Sequence, residues 1–346
     1  MTLSFRVAVG QFRELTAADL AFASQIGASG ITVNRPSFET PPWRALLGKH
    51  FADRPDQFAP ASRWHFDDLV KLRTLVESYG LKLECIENTP LYFYDRIMLG
   101  LPGADEQLEH YKASIRALGR AGITVLGYNW CPTRVWRTSA HGQARGGATA
   151  TEFDGALAES APDWFARRFT ADDLWDTYAG FIQAVLPVAE EAGVTLALHP
   201  DDPPVPELGG VARIMTSRDA FDRALALGDS PRHGLDFCIG TWAEMGVETM
   251  FDAMEHFGRR GKLVYVHFRN VKGSVPKFRE AFVDDGDVDE LRAVRTLRDV
   301  GFDGFVIDDH VPHMTDDTVW GHRGRAYATG YIKGLCRAVA AEPARA

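Results

Sequence analysis

A chain of 346 residues, 45% hydrophobic and 25% charged, can form one large α/β domain with a substantial core. Its formal net charge of −9 and lack of a basic stripe exclude a nucleic-acid surface from the expected partners. No run approaches the roughly 18 apolar residues of a membrane span, and no signal-peptide pattern opens the chain, so a cytoplasmic protein with no membrane partner is expected.

Residues 4 to 9 (SFRVAV) read as a first strand released by Gly10, followed by a Thr16-capped helix to Ile26 and a second strand at ITV. Residues 34–62 are rich in Pro, Trp and Phe without a clear period and read as a long loop at the rim. Then come helix Phe66 to Tyr79, strand LKLECIE, helix Ala104 to Ala121 and strand ITVLGYN. The regular alternation of strand and Gly-terminated helix implies βα units and a parallel sheet. It breaks at 130–168, too long for an ordinary βα loop, which reads as an insertion covering the site. The beat resumes with helix Ala171 to Ala192, helix Ser217 to Leu227, helix Val247 to Arg260 and helix Asp287 to Val300, each leading into a strand. A last helix from about Gly324 to Ala341 completes eight units, so the fold expected over 1–346 is a single (β/α)8 TIM barrel. The four cysteines at 85, 131, 238 and 336 form no CxxC, which suits a reducing compartment. No glycine-rich phosphate or dinucleotide motif follows a strand.

Four of the later strands end in residues that can bind a metal: VTLALH at His199, HGLDFC at Cys238, LVYVH at His267 and GFVIDD at Asp309. In a barrel such ends meet at one rim, where active sites are built. Two imidazoles, a thiolate and a carboxylate suit a borderline divalent ion such as Zn²⁺ or Mn²⁺. The alternative for His199 is a hydrogen bond within its Asp201–Asp202 turn; for Cys238 it is burial as a small hydrophobe. His310, beside Asp309, is placed for proton transfer or for support of a metal ligand, with His313 and His322 competing for the role. Arg6 and Arg269 carry planar forks that would pair with a substrate carboxylate, unless they are structural. Glu87 and Asn129, at strand ends, and Asp201 complete the expected substrate contacts, with a salt bridge inside the mouth as the alternative for Glu87.

IENTP, ALHPDDPP, GLDFCIGTWAEMG, VHFRNVKGSVPKFREAFVDDGDVD and DDH followed by GRAYATGYIKGL resemble the mannonate dehydratase family, metal-dependent members of the xylose-isomerase-like barrels. The resemblance runs from about Leu81 onward and implies dehydration of D-mannonate to 2-keto-3-deoxy-D-gluconate. It implies Mn²⁺ as the ion, with Fe²⁺, Co²⁺ or Zn²⁺ as substitutes, held by His199, Cys238, His267 and Asp309. It also implies His310 as an acid/base, together with a tyrosine, Tyr331 or Tyr327. Departures lie in FRVAVGQF, at Val135 and at Ile307–Asp308, positions expected to face the sugar acid. A homo-oligomer, dimer or larger, is expected. The competing readings are a sugar isomerase or epimerase on the same barrel and a catalytically silent sugar-acid binder.

Overall fold

The computed structural model describes residues 3–47 and 62–343. Its strands are β1 (Arg6–Val7), β2 (Val9–Phe12), β3 (Gly30–Asn34), β4 (Lys82–Asn88), β5 (Val125–Asn129), β6 (Ser139–Gln143), β7 (Thr149–Asp154) and β8 (Thr195–His199). They continue with β9 (Glu207–Leu208), β10 (Val211–Ala212), β11 (His233–Cys238), β12 (Leu263–Phe268), β13 (Asn270–Ser274), β14 (Lys277–Ala281) and β15 (Phe305–Asp308).

Nine strands form one sheet in the order β1-β15-β12-β11-β8-β5-β4-β3-β2, and its pairings are parallel. β1 and β2 are two pieces of one strand split at Ala8; one half pairs with β15 and the other with β3. The sheet therefore closes into the eight-stranded α/β barrel that the alternation predicted, with helices outside. This first strand runs on to Phe12, three residues beyond the predicted end.

Local chemistry explains the helices. Thr16 with Asp19, and Thr170 with Asp173, form reciprocal capping boxes at the starts of helices Ala17–Gln25 and Ala171–Ala192. Ser217 and Asp289 cap two more, and Gly193 ends its helix in the left-handed region. Inside the barrel a small apolar cluster of Ala8, Cys85, Ala197, Tyr265, Phe305 and Ile307 fills the centre, with Tyr265 stacked on Phe305 at 5.0 Å. A Cβ at Gly127 would collide with the Glu87 carbonyl and the Tyr265 hydroxyl, so this β5 position must stay bare. The larger apolar core lies between sheet and helices.

Three segments depart from the sequence expectation. Within the predicted 34–62 loop, Pro41–Leu46 is a short helix started by its prolines, while 48–61 lie outside the described residues. The 130–168 segment, expected as an insertion without assigned strands, carries a hairpin of β6 and β7. Residues after β12, for which no element was expected, form a second hairpin of β13 and β14. The two hairpins join through β7 and β14 into a four-stranded antiparallel sheet, β13-β14-β7-β6. Each hairpin alone would be marginal, and pairing across about 125 residues of sequence is what lets both persist.

Candidate active site

His199, Cys238 and His267 are the last or next-to-last residues of β8, β11 and β12, adjacent strands of the barrel. One ligand atom from each lies within 4.8 Å of the others, and all three residues are buried. Asp309, one residue past β15, stands at the edge of this trio. Its Oδ2 is 3.8 Å from Cys238 Sγ and 3.5 Å from His267 Nδ1.

Each donor is oriented from behind. The Pro200 carbonyl accepts from His199 Nδ1 at 2.6 Å, which leaves Nε2 for the cluster. His267 turns Nε2 toward Glu87 at 3.2 Å and Asp236 at 3.3 Å, with Nδ1 on the Asp309 side. Cys238 Sγ accepts from Thr241 Oγ1 at 3.2 Å, the Thr241 N–H at 3.4 Å and Arg269 Nε at 3.3 Å. Burial pushes this thiol up, but Arg269 and then contacts with His199 and His267 bring it down to about 5. Burial opposes charge on His199, yet the Asp236 carboxylate and the Cys238 sulfur raise it to about 9. Burial likewise opposes charge on His267, and Asp236, Asp309 and Glu87 lift it well above the ordinary histidine range. The site thus concentrates negative charge around two imidazoles.

A cation fits this surrounding. Neither ring nitrogen of His267 makes a well-formed hydrogen bond, and Asp309 Oδ1 is also a buried orphan. Two nitrogens, one thiolate-disposed sulfur and a carboxylate within reach form a set that a divalent transition ion satisfies.

Beside the cluster lies a buried ion network. Arg269, 1% exposed, contacts Asp309 at 2.9 Å and Glu244, Glu280 and Asp202 each at 3.0 Å. Arg137, from the segment before β6, joins Asp202, and reaches Glu280 at 2.7 Å. Glu280, on the buried face of β14, accepts from His310 Nδ1 at 2.9 Å. The hairpin sheet is thereby tied to the barrel mouth by charge. Gly240 makes room for the hub, because a Cβ there would meet the Arg269 guanidinium.

Several expected substrate contacts are placed otherwise. Arg6 lies at the opposite end of the barrel, opposite Phe305 at the start of β15, with its fork on Glu84 at 2.9 Å. Arg269 reaches the site but spends its guanidinium on protein carboxylates and Cys238, leaving no free face for a substrate acid. Asp201 is fully buried, and its Oδ2 accepts from the Met215 N–H at 3.0 Å; its neighbour Asp202 enters the network instead. Glu87 is also fully buried and holds Thr32 Oγ1 at 2.9 Å and the Gln11 amide, so it supports His267 from below.

Asn129 stays at the mouth, in register with His199, and donates to Asn88 at 3.2 Å while accepting from Tyr94. Tyr327 and Tyr331 sit on helix His322–Ala340. Tyr327 packs edge-on against Phe282, lies near the Arg145–Asp284 pair, and lines a small cavity with His310. Tyr331 stacks on Tyr327 with ring centroids 6.4 Å apart, farther along the helix. His313 bridges by its backbone to Thr149, and His322 holds Asp19 at 3.1 Å, so neither competes with His310.

Arg137, Asp202, Glu244 and Glu280 were not anticipated. Glu280 had a signal: KFREA alternates, which puts Glu280 on the same face as buried Phe278.

The D-mannonate dehydratase family profile matches residues 20–171 and 163–345. The chain belongs to the D-mannonate dehydratase family. The mannonate dehydratase of Thermotoga maritima is 30% identical over 319 residues, 80% of this chain and 86% of its own length. Mannonate dehydratase 2 of Halalkalibacterium halodurans is 29% identical over 311 residues, 80% and 88% of the two chains. The crystal structure of mannonate dehydratase from Streptococcus suis serotype 2 superposes with a TM-score of 0.83 at 28% identity, covering 97% of this chain and 94% of that one. The likeness extends well before Leu81, where the sequence motifs alone began. A D-tagatose 3-epimerase-like protein shares the fold with a TM-score of 0.61 at 12% identity, covering 97% of this chain and 98% of that one. Family membership makes this chain a hydro-lyase of a sugar acid, on a xylose-isomerase-like barrel.

Proposed function

We propose that the chain removes water from D-mannonate to give 2-keto-3-deoxy-D-gluconate. The observation that carries this reading is His310 held by Glu280 beside the His199–Cys238–His267 cluster, in a chain of this family. The cation is taken to be Mn²⁺, held by His199, Cys238, His267 and Asp309, with Fe²⁺, Co²⁺ or Zn²⁺ compatible with the same donors. When bound, such an ion supplies electrostatic stabilisation for the charge that develops next to the carboxylate as the C2 proton leaves.

The protein's own groups then move the protons. With Nδ1 engaged by Glu280, His310 has Nε2 as its exchanging atom, on a ring 31% exposed where the surrounding carboxylates are sealed. One of His310 and a tyrosine takes the C2 proton, and the other protonates the C3 hydroxyl as it departs. Tyr327 shares a cavity wall with His310 and is preferred over Tyr331. The enol left by elimination becomes the 2-keto acid by proton transfer to C3. Asn129, at the rim beside His199, serves as a hydroxyl contact.

The four cysteines are unpaired, which supports a reducing, cytoplasmic setting, and no described helix is long and apolar enough to cross a membrane. A homo-oligomer is part of the same reading. The test is incubation of purified protein and Mn²⁺ with D-mannonate, reading out 2-keto-3-deoxy acid. His310→Asn should keep bound metal and lose turnover. Release of an interconverted neutral ketose, with no keto-deoxy acid from any aldonate, would replace this reading with the epimerase one.

A further inference from the structure

The metal-ligand half of the mouth uses up its arginines internally; the other half does not. Arg13 follows Phe12 at the end of β2, Arg35 follows Asn34 at the end of β3, and Arg134 lies five residues past Asn129 at the end of β5. These strands belong to the half of the ring that carries none of the three cluster residues, with β2 next to β15 through the closure and β5 next to β8. An amide relay crosses between the two sides. Asn88 donates to Asn34 at 3.4 Å, Asn129 donates to Asn88 at 3.2 Å, and Asn129 is in register with His199.

No guanidinium of the three makes an ion pair or hydrogen bond with another described residue, whereas Arg137 and Arg269 each touch three or more carboxylates. The backbone at Arg35 (φ 53°) and Arg134 (φ 61°) is left-handed, a conformation that long side chains adopt only where the surroundings hold it. Arg13 and Arg134 are exposed and Arg35 is half-buried, and the charges of Arg35 and Arg134 reach Arg13. Burial and then the charge of Arg35 pull Arg13 below the ordinary guanidinium range, Glu87 opposes this, and Arg325 and Arg134 add to it. Glu87 does not neutralise the group, since it is committed to Thr32, Gln11 and His267.

We propose that Arg13, Arg35 and Arg134 form an anion-binding subsite on the far side of the barrel mouth from the His199–Cys238–His267 cluster, and that it seats an anionic group of the substrate. Planar guanidinium forks match a carboxylate or a phosphate, and a trio at the entrance with no carboxylate partner among the described residues also draws anions in. This rests on the sugar-acid reading and deepens it. With Arg6 at the other end of the barrel and Arg269 saturated, the substrate's charge is met here. Two sources share that chemistry: the single carboxylate of an aldonate, or a second anion at the far end of a hexarate or a phosphorylated aldonate.

The test is calorimetric binding of D-mannonate, D-mannarate and 6-phospho-D-mannonate to the Mn²⁺-loaded His310→Asn protein, which does not turn over, and to the same protein carrying Arg13→Gln, Arg35→Gln or Arg134→Gln, with metal content measured for each. At least two variants should bind an acid about tenfold to hundredfold more weakly at unchanged metal content. Weakening for all three acids assigns the subsite to the aldonate carboxylate; weakening for the two dianions alone assigns it to a far-end anion. Binding within twofold of wild type for every variant and acid overturns the proposal, as does a wild type that binds none of the acids. Arg→Lys variants with intermediate affinity would separate charge from loss of shape. Because binding is read without turnover, a protein that dehydrates no aldonate would defeat the dehydratase reading while leaving this one standing or falling by its own numbers.

Discussion

The two halves of the barrel mouth solve opposite problems. On the β8, β11, β12 and β15 side, charge is dense but locked: Arg269 and Arg137 are shared among Asp202, Glu244, Glu280 and Asp309, all buried. On the β2, β3 and β5 side, three arginines stand without a carboxylate of their own among the described residues. A locked half can fix geometry but cannot greet a charged substrate, because every donor already has an acceptor. An open half can do so, at the expense of like-charge crowding. Preorganisation and recognition are thus divided between strands rather than mixed at each position.

The sharpest way to break the comparison is to remove a donor from the locked half. Cys238→Ala and His267→Ala should each lose bound metal and at least about a thousandfold in kcat/KM, since all the donors are needed to hold the ion. Metal analysis with activity after adding excess Mn²⁺ checks this; full metal occupancy in either variant would remove that residue from the ligand set. Next in size is Arg269→Met. Breaking one side of a buried network leaves carboxylates facing each other, and a loss of about 3–5 kcal/mol in denaturant unfolding is expected.

His233, at the start of β11, tests stability below the mouth. Its Nδ1 donates to the Gly228 carbonyl at 3.0 Å, so Nε2 accepts from Tyr128 at 3.0 Å. Burial first, with Lys262 adding and the Gly228 contact opposing, lowers it from 6.5 to about 4. The unfolded chain then takes up a proton before the folded one does. Stability is present above pH about 6.5 and falls by about 3 kcal/mol as the pH drops toward 4. His233→Gln should flatten that part of the stability curve; an unchanged slope would show that this histidine is not its source.

Glu280→Gln should lower kcat about tenfold to hundredfold with KM nearly unchanged, because it frees the His310 ring while leaving the substrate side of the mouth intact. A rise in KM alone would move Glu280 to substrate binding. The smallest effect is expected for Arg6→Gln: about 1 kcal/mol or less in stability, since Arg6 is 39% exposed and the buried Glu84 keeps Lys82 at 2.9 Å, and no change in kcat/KM.

Much of the barrel was legible because its signals are local. Thr16 and Thr170 with their acidic partners mark helix starts, Gly193 marks an end, and apolar runs ending in His199, Cys238 and His267 mark strands that feed the rim. Once eight βα units are counted, closure brings those ends together without further information. Arg6 misled for an equally physical reason. Its neighbours identify it as a strand residue but do not say which end of the barrel it occupies, and only pairing with Phe305 settles that.

By itself, then, the sequence determined the periodicity, the caps and the residue types able to carry metal and proton chemistry, since each depends on neighbours within a few positions. The tertiary structure alone decided how charges separated by up to about 140 residues are partnered: Arg137 with Asp202 and Glu280, and Arg269 with Glu244 and Asp309. An ion pair has no sequence period, and its energy depends on burial and on every charge nearby. Which arginine is spent on a carboxylate therefore emerges only when the chain has closed on itself.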